Sequence, residues 1–186
     1  MSDMQAARGT SVDEQPPGTR RIHSGYLLAF AATAVTVLAL DQGAKYLAVR
    51  FLVPEQPVPV FGKLLQLYLI RNPGAAFSAG TGLTVVFSSL AIVAALVVIY
   101  LARRLGSGLW AVGLGLLLGG VLGNLTDRIF RAPGVMEGHV VDFLQLPHWP
   151  IFNVADMSID VAAAVIVIQA FRGISIAGRN SGADRG

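Results

Sequence analysis

Four long apolar blocks dominate this chain, and they restrict it to architectures that cross a bilayer. They run from about residue 24 to 49, 81 to 101, 109 to 130 and 151 to 171. Each is close to the roughly 20 apolar residues that a helix needs to span the hydrocarbon. Lipid cannot satisfy backbone N–H and C=O groups, so each block is expected to be helical. The expected fold is therefore an all-α integral membrane protein, with residues 24–172 forming one four-helix membrane domain. Composition agrees. Only 13% of the 186 residues are charged and 54% are hydrophobic, where a soluble domain carries about 25% charged residues.

The material outside the blocks narrows the function classes. There is no cysteine, which excludes disulfides, thiolate zinc sites and a cysteine nucleophile. His23, His139 and His148 lack metal-ligand spacing, so no metal and no cofactor is expected. A net charge of +3 does not point to nucleic acid, because the basic residues are scattered beside the apolar blocks. Residues 1–23 read as a disordered cytoplasmic tail, and residues 173–186 as a second short tail. Arg20, Arg21, Arg103, Arg104, Arg172 and Arg179 place both termini and the turn between spans two and three in the cytoplasm. The two other connections then lie outside. In Lys63–Leu69, leucines alternate with Gln66 and Tyr68, a half-buried strand pattern, with Pro54, Pro57 and Pro59 as an extended entry. Pro147-His148-Trp149-Pro150 reads as an aromatic interface anchor.

With the helix directions set, the unusual polar residues gather at one end of the bundle. Span one leaves with Asp41 and Lys45, span three ends on Asn124, Asp127 and Arg128, and span four begins with Asn153 and Asp156. Asp142 lies just before span four. Asp41 and Lys45 are spaced i,i+4 for an ion pair. Gly115, Gly119 and Gly123 form a small-residue ladder that lets span three approach another helix closely. Structural readings stand beside chemical ones. Asp41 with Lys45, and Asp127 with Arg128, read most simply as buried charge pairs. Asn124 and Asn153 read as hydrogen-bonding glue, Asp142 as a loop cap, and Asp156 as an early-helix acid favoured by the macrodipole. Asp160, one turn beyond Asp156, is assigned no role. Spacing alone leaves catalysis by Asp142 and Asp156 open against a structural or transport role. A small proton-coupled transporter would place polar residues on both halves of the bundle, and a presenilin-like protease would carry Gly-x-Gly-Asp. Neither pattern is present.

Five motifs in this order closely resemble bacterial lipoprotein signal peptidase, also called signal peptidase II. They are Asp41-Gln42-Gly43-Ala44-Lys45, Arg71-Asn72-Pro73-Gly74-Ala75-Ala76-Phe77, Gly119 to Arg128, Val140-Val141-Asp142-Phe143 and Phe152-Asn153-Val154-Ala155-Asp156. The resemblance covers about Tyr26 to Phe171; Ala44 and Met157 depart from the family's usual hydroxyl residues. It implies a membrane aspartyl endopeptidase with four transmembrane helices, a small extracytoplasmic β-cradle and an outer loop between helices three and four. It further implies that Asp142 and Asp156 are catalytic and that Asn72, Asn124, Arg128 and Asn153 line the site. Asp41, Lys45, Gly74 and Asp127 would support it. The implied substrates are diacylglyceryl-modified prolipoproteins in the bacterial cytoplasmic membrane, cleaved just before the lipidated cysteine near the outer face. The expected partners are those substrates and membrane lipid, with a monomeric enzyme and globomycin-type inhibitors.

Overall fold

A computed structural model describes residues 24–74 and 83–178. Residues 1–23, with Arg20 and Arg21, residues 75–82, and residues 179–186 lie outside the described residues. The element order is α1 (Ser24–Phe51), β1 (Val58–Phe61), β2 (Leu65–Asn72), α2 (Thr84–Ala102), α3 (Gly108–Phe130), β3 (Val140–Gln145) and α4 (Val154–Phe171). All four helices are long and apolar enough to cross a membrane, so the chain is a multi-pass membrane protein.

Helix α3 is the central one, packed on α1, α2 and α4. Glycine makes that possible on two faces. A Cβ at Gly115 would meet the Phe30 carbonyl oxygen at 2.7 Å, and one at Gly119 would meet Val37 at 2.6 Å, so the expected ladder is the contact with α1. A second set was not legible as a pattern: Gly113 lies against Val165, and Gly120 against the Ala155 carbonyl and Ile159. Without a hydrophobic driving force between helices in lipid, such backbone approach supplies the packing. Four hydroxyls inside the spans find a carbonyl within their own helix. Ser88, Ser89, Thr126 and Ser158 each donate to the carbonyl four residues back, at 2.7–2.9 Å.

Both connections at one end of the bundle build a single antiparallel sheet in the order β1-β2-β3. The proline stretch, expected as an entry segment, itself pairs as β1. Pro59 lacks an N–H and suits this edge strand. Strand β2 runs past the expected Leu69 to Asn72, and its burial is graded rather than alternating, because β3 and the helix ends cover only part of it. Strand β3, which carries Asp142, was expected as loop. At the other end, residues 173–178 return onto the α2–α3 turn. Trp110 Nε1 donates to the Ile174 carbonyl at 2.9 Å, and Gly106 N–H donates to that of Ile176 at 2.9 Å.

Candidate active site at the sheet end of the bundle

Helix α4 starts where it does because Asn153 caps it. The Asn153 side chain accepts from Asp156 N–H at 3.0 Å, while Asp156 Oδ2 accepts from Asn153 N–H at 3.0 Å. This reciprocal capping box fixes the Asp156 carboxyl at the helix N-terminus, where the macrodipole favours negative charge. Just upstream the chain doubles back. Leu144 and Phe152 exchange backbone hydrogen bonds of 2.9 and 3.0 Å, which ties the start of α4 to β3. That closure brings Asp142, on β3, towards Asp156.

The two acids line one cavity of about 400 Å³, together with Asn72, Asn124, Arg128 and Asp160. Trp149, Pro150 and Phe152 add apolar wall. Asn153 touches both acids: its Nδ2 donates to Asp142 Oδ1 at 2.7 Å while its N–H serves Asp156. Asn72 pairs with Val140 across β2 and β3, so its side chain lies diagonally from that of Asp142, and its Nδ2 donates to Asp142 Oδ2 at 2.9 Å. Asn124 Nδ2 donates to Asp156 Oδ1 at 2.8 Å, and Asn124 Oδ1 accepts from Asn153 at 3.1 Å. Three asparagine amides therefore orient two carboxyls. Burial, followed by the charge of Asp156, pushes Asp142 up to about 7. The asparagine hydrogen bonds and Lys45 oppose that shift.

Behind the cavity lies a buried ionic cluster. Lys45, Asp41 and Asp127 side chains are 0% exposed. Lys45 Nζ sits 2.8 Å from Asp41 Oδ2, 3.0 Å from Asp127 Oδ2 and 3.0 Å from Asn124 Oδ1. Each acid spends a further lone pair on the backbone. Asp127 Oδ2 accepts from Val141 N–H at 3.1 Å, and Asp41 Oδ1 accepts from Ala155 N–H at 2.9 Å. Val141 and Ala155 immediately precede Asp142 and Asp156. One buried lysine thus joins two clamps, each holding the residue before one cavity acid.

The Asp41–Lys45 pair has the i,i+4 form read from its spacing. The expected Asp127–Arg128 pair does not form. Asp127 turns to Lys45 and to Arg131, one helical turn on, and Arg128 donates to the carbonyls of Pro73 and Gly74. Neighbours in a helix point about 100° apart, so i,i+1 residues do not face each other. Gly74 N–H in turn donates to Asn72 Oδ1 at 3.0 Å, so Arg128 and Gly74 together hold the Asn72 turn. Sequence reasoning passed over Gln42, which donates to Asp41 Oδ2 at 3.1 Å and to the Gly123 carbonyl at 2.9 Å. Nothing in its spacing marks it, because its partner carbonyl lies on another helix. Among the described residues no group of three or more His, Cys, Asp or Glu side chains is arranged to hold a metal.

The family model for signal peptidase (SPase) II matches residues 33–172. The chain is 47% identical over 178 residues to the lipoprotein signal peptidase of Mycobacterium avium (strain 104), covering 95% of this chain and 94% of that one. It is 45% identical to that of Rhodococcus jostii (strain RHA1), covering 93% and 89%. Among solved structures, a bacterial membrane enzyme determined by the in meso method superposes with a TM-score of 0.70 at 28% identity, covering 78% of this chain and 89% of that one. Four spanning helices, a three-stranded sheet closing one end, and relatives matched over nearly their whole length all agree: this chain belongs to the signal peptidase II family of membrane proteases.

Proposed function

We propose that Asp142 and Asp156 are the catalytic pair with which this signal peptidase cleaves diacylglyceryl-modified prolipoproteins just before the lipidated cysteine. The observation that carries the reading is their convergence: two acids from separate elements face one cavity and both bond to Asn153. Neighbouring carboxyls in a low-dielectric wall do not both ionise readily, so the pair holds one proton. Asp142, pushed up to about 7 by burial and by the charge of Asp156, fits such a shared proton. The ionised member is the general base that activates water. The protonated member hydrogen-bonds the scissile carbonyl, stabilises the oxyanion as it develops, and helps protonate the leaving amine. Asn72, Asn124, Arg128 and Asn153 position the acids and the substrate, while Asp41, Lys45, Gly74 and Asp127 support them.

The substrate's acyl chains stay in lipid while its peptide bond meets water, so a site at the end of the bundle suits both. Helices α2 and α4 flank α3 without substantial packing on each other among the described residues, and the gap between them is the lateral way in. Arginines at the opposite end favour both termini in the cytoplasm, with the site near the outer face of the bacterial cytoplasmic membrane. The enzyme is read as a monomer, with lipid and prolipoprotein as its partners and no nucleic acid.

The test is purified protein incubated with a diacylglyceryl prolipoprotein, with and without globomycin, and mass measurement of both products. Asp142→Asn and Asp156→Asn should each lower turnover by about 10²–10⁴-fold, the usual worth of a general acid or base, while remaining folded and inserted. Turnover within a few-fold of wild type in either variant refutes the pair.

A further inference from the structure

Asp160 is a third acid on the wall of the same cavity, and the mechanism does not use it. It lies one turn beyond Asp156 on α4, about 6 Å further along the helix axis and deeper in the span. Its surroundings differ from those of the four other aspartates at this end of the bundle. Asp41 and Asp127 are locked to Lys45, and Asp142 and Asp156 are each held by asparagine amides. The Asp160 side chain makes no hydrogen bond or ion pair among the described residues, and it is exposed. An ionisable side chain within a membrane span is costly and marks a pathway or a binding partner by default. Helical spacing puts Asp156, Ile159 and Asp160 on one face, and all three line the cavity.

We infer that Asp160 is a specificity-determining residue that accepts a hydrogen bond from a hydroxyl side chain of the signal peptide, about two residues before the cleaved bond. The inference rests on the signal peptidase reading above. The released segment is the membrane-embedded one, so residues on the amino side of the bond descend along α4 from Asp156. At about 3.3 Å per residue in an extended chain, 6 Å corresponds to about two residues. A carboxylate accepts hydrogen bonds and donates none. The ester oxygens of the diacylglyceryl group also only accept, so they are unsuitable partners. A serine or threonine hydroxyl reaching into the cavity fits, and it finds few competing acceptors once lipid and peptide have displaced water.

The experiment uses two synthetic diacylglyceryl prolipopeptides that differ only in Ser or Ala two residues before the cleaved bond. Each is offered to the purified full-length wild type, Asp160→Asn and Asp160→Leu, and kcat/KM is measured for every pair. Wild type should favour the Ser peptide by about 10–150-fold, the worth of one hydrogen bond to a charged group. Asp160→Leu should bring the ratio to within about twofold, chiefly through a higher KM on the Ser peptide. Asp160→Asn, which keeps an acceptor oxygen, should retain part of the preference. Because the readout is a ratio within one preparation, incomplete folding cancels. An equal ratio in wild type and Asp160→Leu, or no preference in wild type, overturns the inference. Failure of wild type to cleave either peptide would instead overturn the signal peptidase reading.

Discussion

Removing the charge of Lys45 tests how far the site depends on the ionic cluster beneath it. Asp41, Asp127, Lys45 and Arg131 sum to zero formal charge and hold one another at 2.5–3.0 Å. Lys45→Met keeps most of the side-chain volume but leaves two acids and one base, with Asp41 and Asp127 both fully enclosed. Breaking a buried pair by removing one partner costs about 3–5 kcal/mol, because the remaining charge has neither water nor a counter-ion. For a chain of this size that corresponds to a fall in Tm on the order of 10 °C. The double variant Lys45→Met with Asp41→Asn restores neutrality: Asp127 keeps Arg131, and the new amide oxygen can still accept from Ala155 N–H. It should therefore regain about 1–3 kcal/mol relative to the single variant. The assay is thermal unfolding in one detergent, read alongside turnover. If Lys45→Met melts within about 1 kcal/mol of wild type, or if the double variant is less stable than the single one, the cluster is not an ionic support and the reasoning fails.

Other outcomes follow from the same geometry. Activity should fall as pH rises through about 7, because above that value Asp142 has lost the proton that the pair must hold; a profile still rising well above 7 would contradict this. Stability carries the same sign. Asp142 is raised from 3.8 to about 7, so the folded state holds a proton that the unfolded chain has released. The contribution is present below about 4 and lost as pH climbs to about 7, with no further change from this group above that. Gly138→Ala should be severe: its Cβ would press on the Asp127, Arg128 and Arg131 carbonyl oxygens. These are backbone atoms that cannot swing away. A loss of about 1–3 kcal/mol, with turnover falling as β3 shifts, is expected in melting and kinetic assays.

What the chain reveals before it folds is governed by distance along it. The four spans follow from the length of the apolar blocks, since hydrocarbon permits nothing but internally bonded backbone there. The Asp41–Lys45 pair and the glycine ladder on α3 were legible because helical spacing fixes which side chains share a face, although which helix the ladder meets was not. The short connection at 103–107 and the two longer connections also determined that the polar residues would collect at one end.

Tertiary structure decided the pairings that cross elements. Sequence put Asp127 beside Arg128, yet packing sends Asp127 to Lys45, from another helix, and it sends Arg128 to the carbonyls of Pro73 and Gly74. Asp142 read as loop because a six-residue strand with one turn of partners carries little periodic signal; it becomes strand only when β2 lies alongside. The clamps on Val141 and Ala155 use backbone N–H groups, which every residue but proline possesses and no sequence pattern distinguishes. Spacing within one element is set by covalent geometry, whereas a partner 70 or 114 residues away is chosen by which surfaces pack.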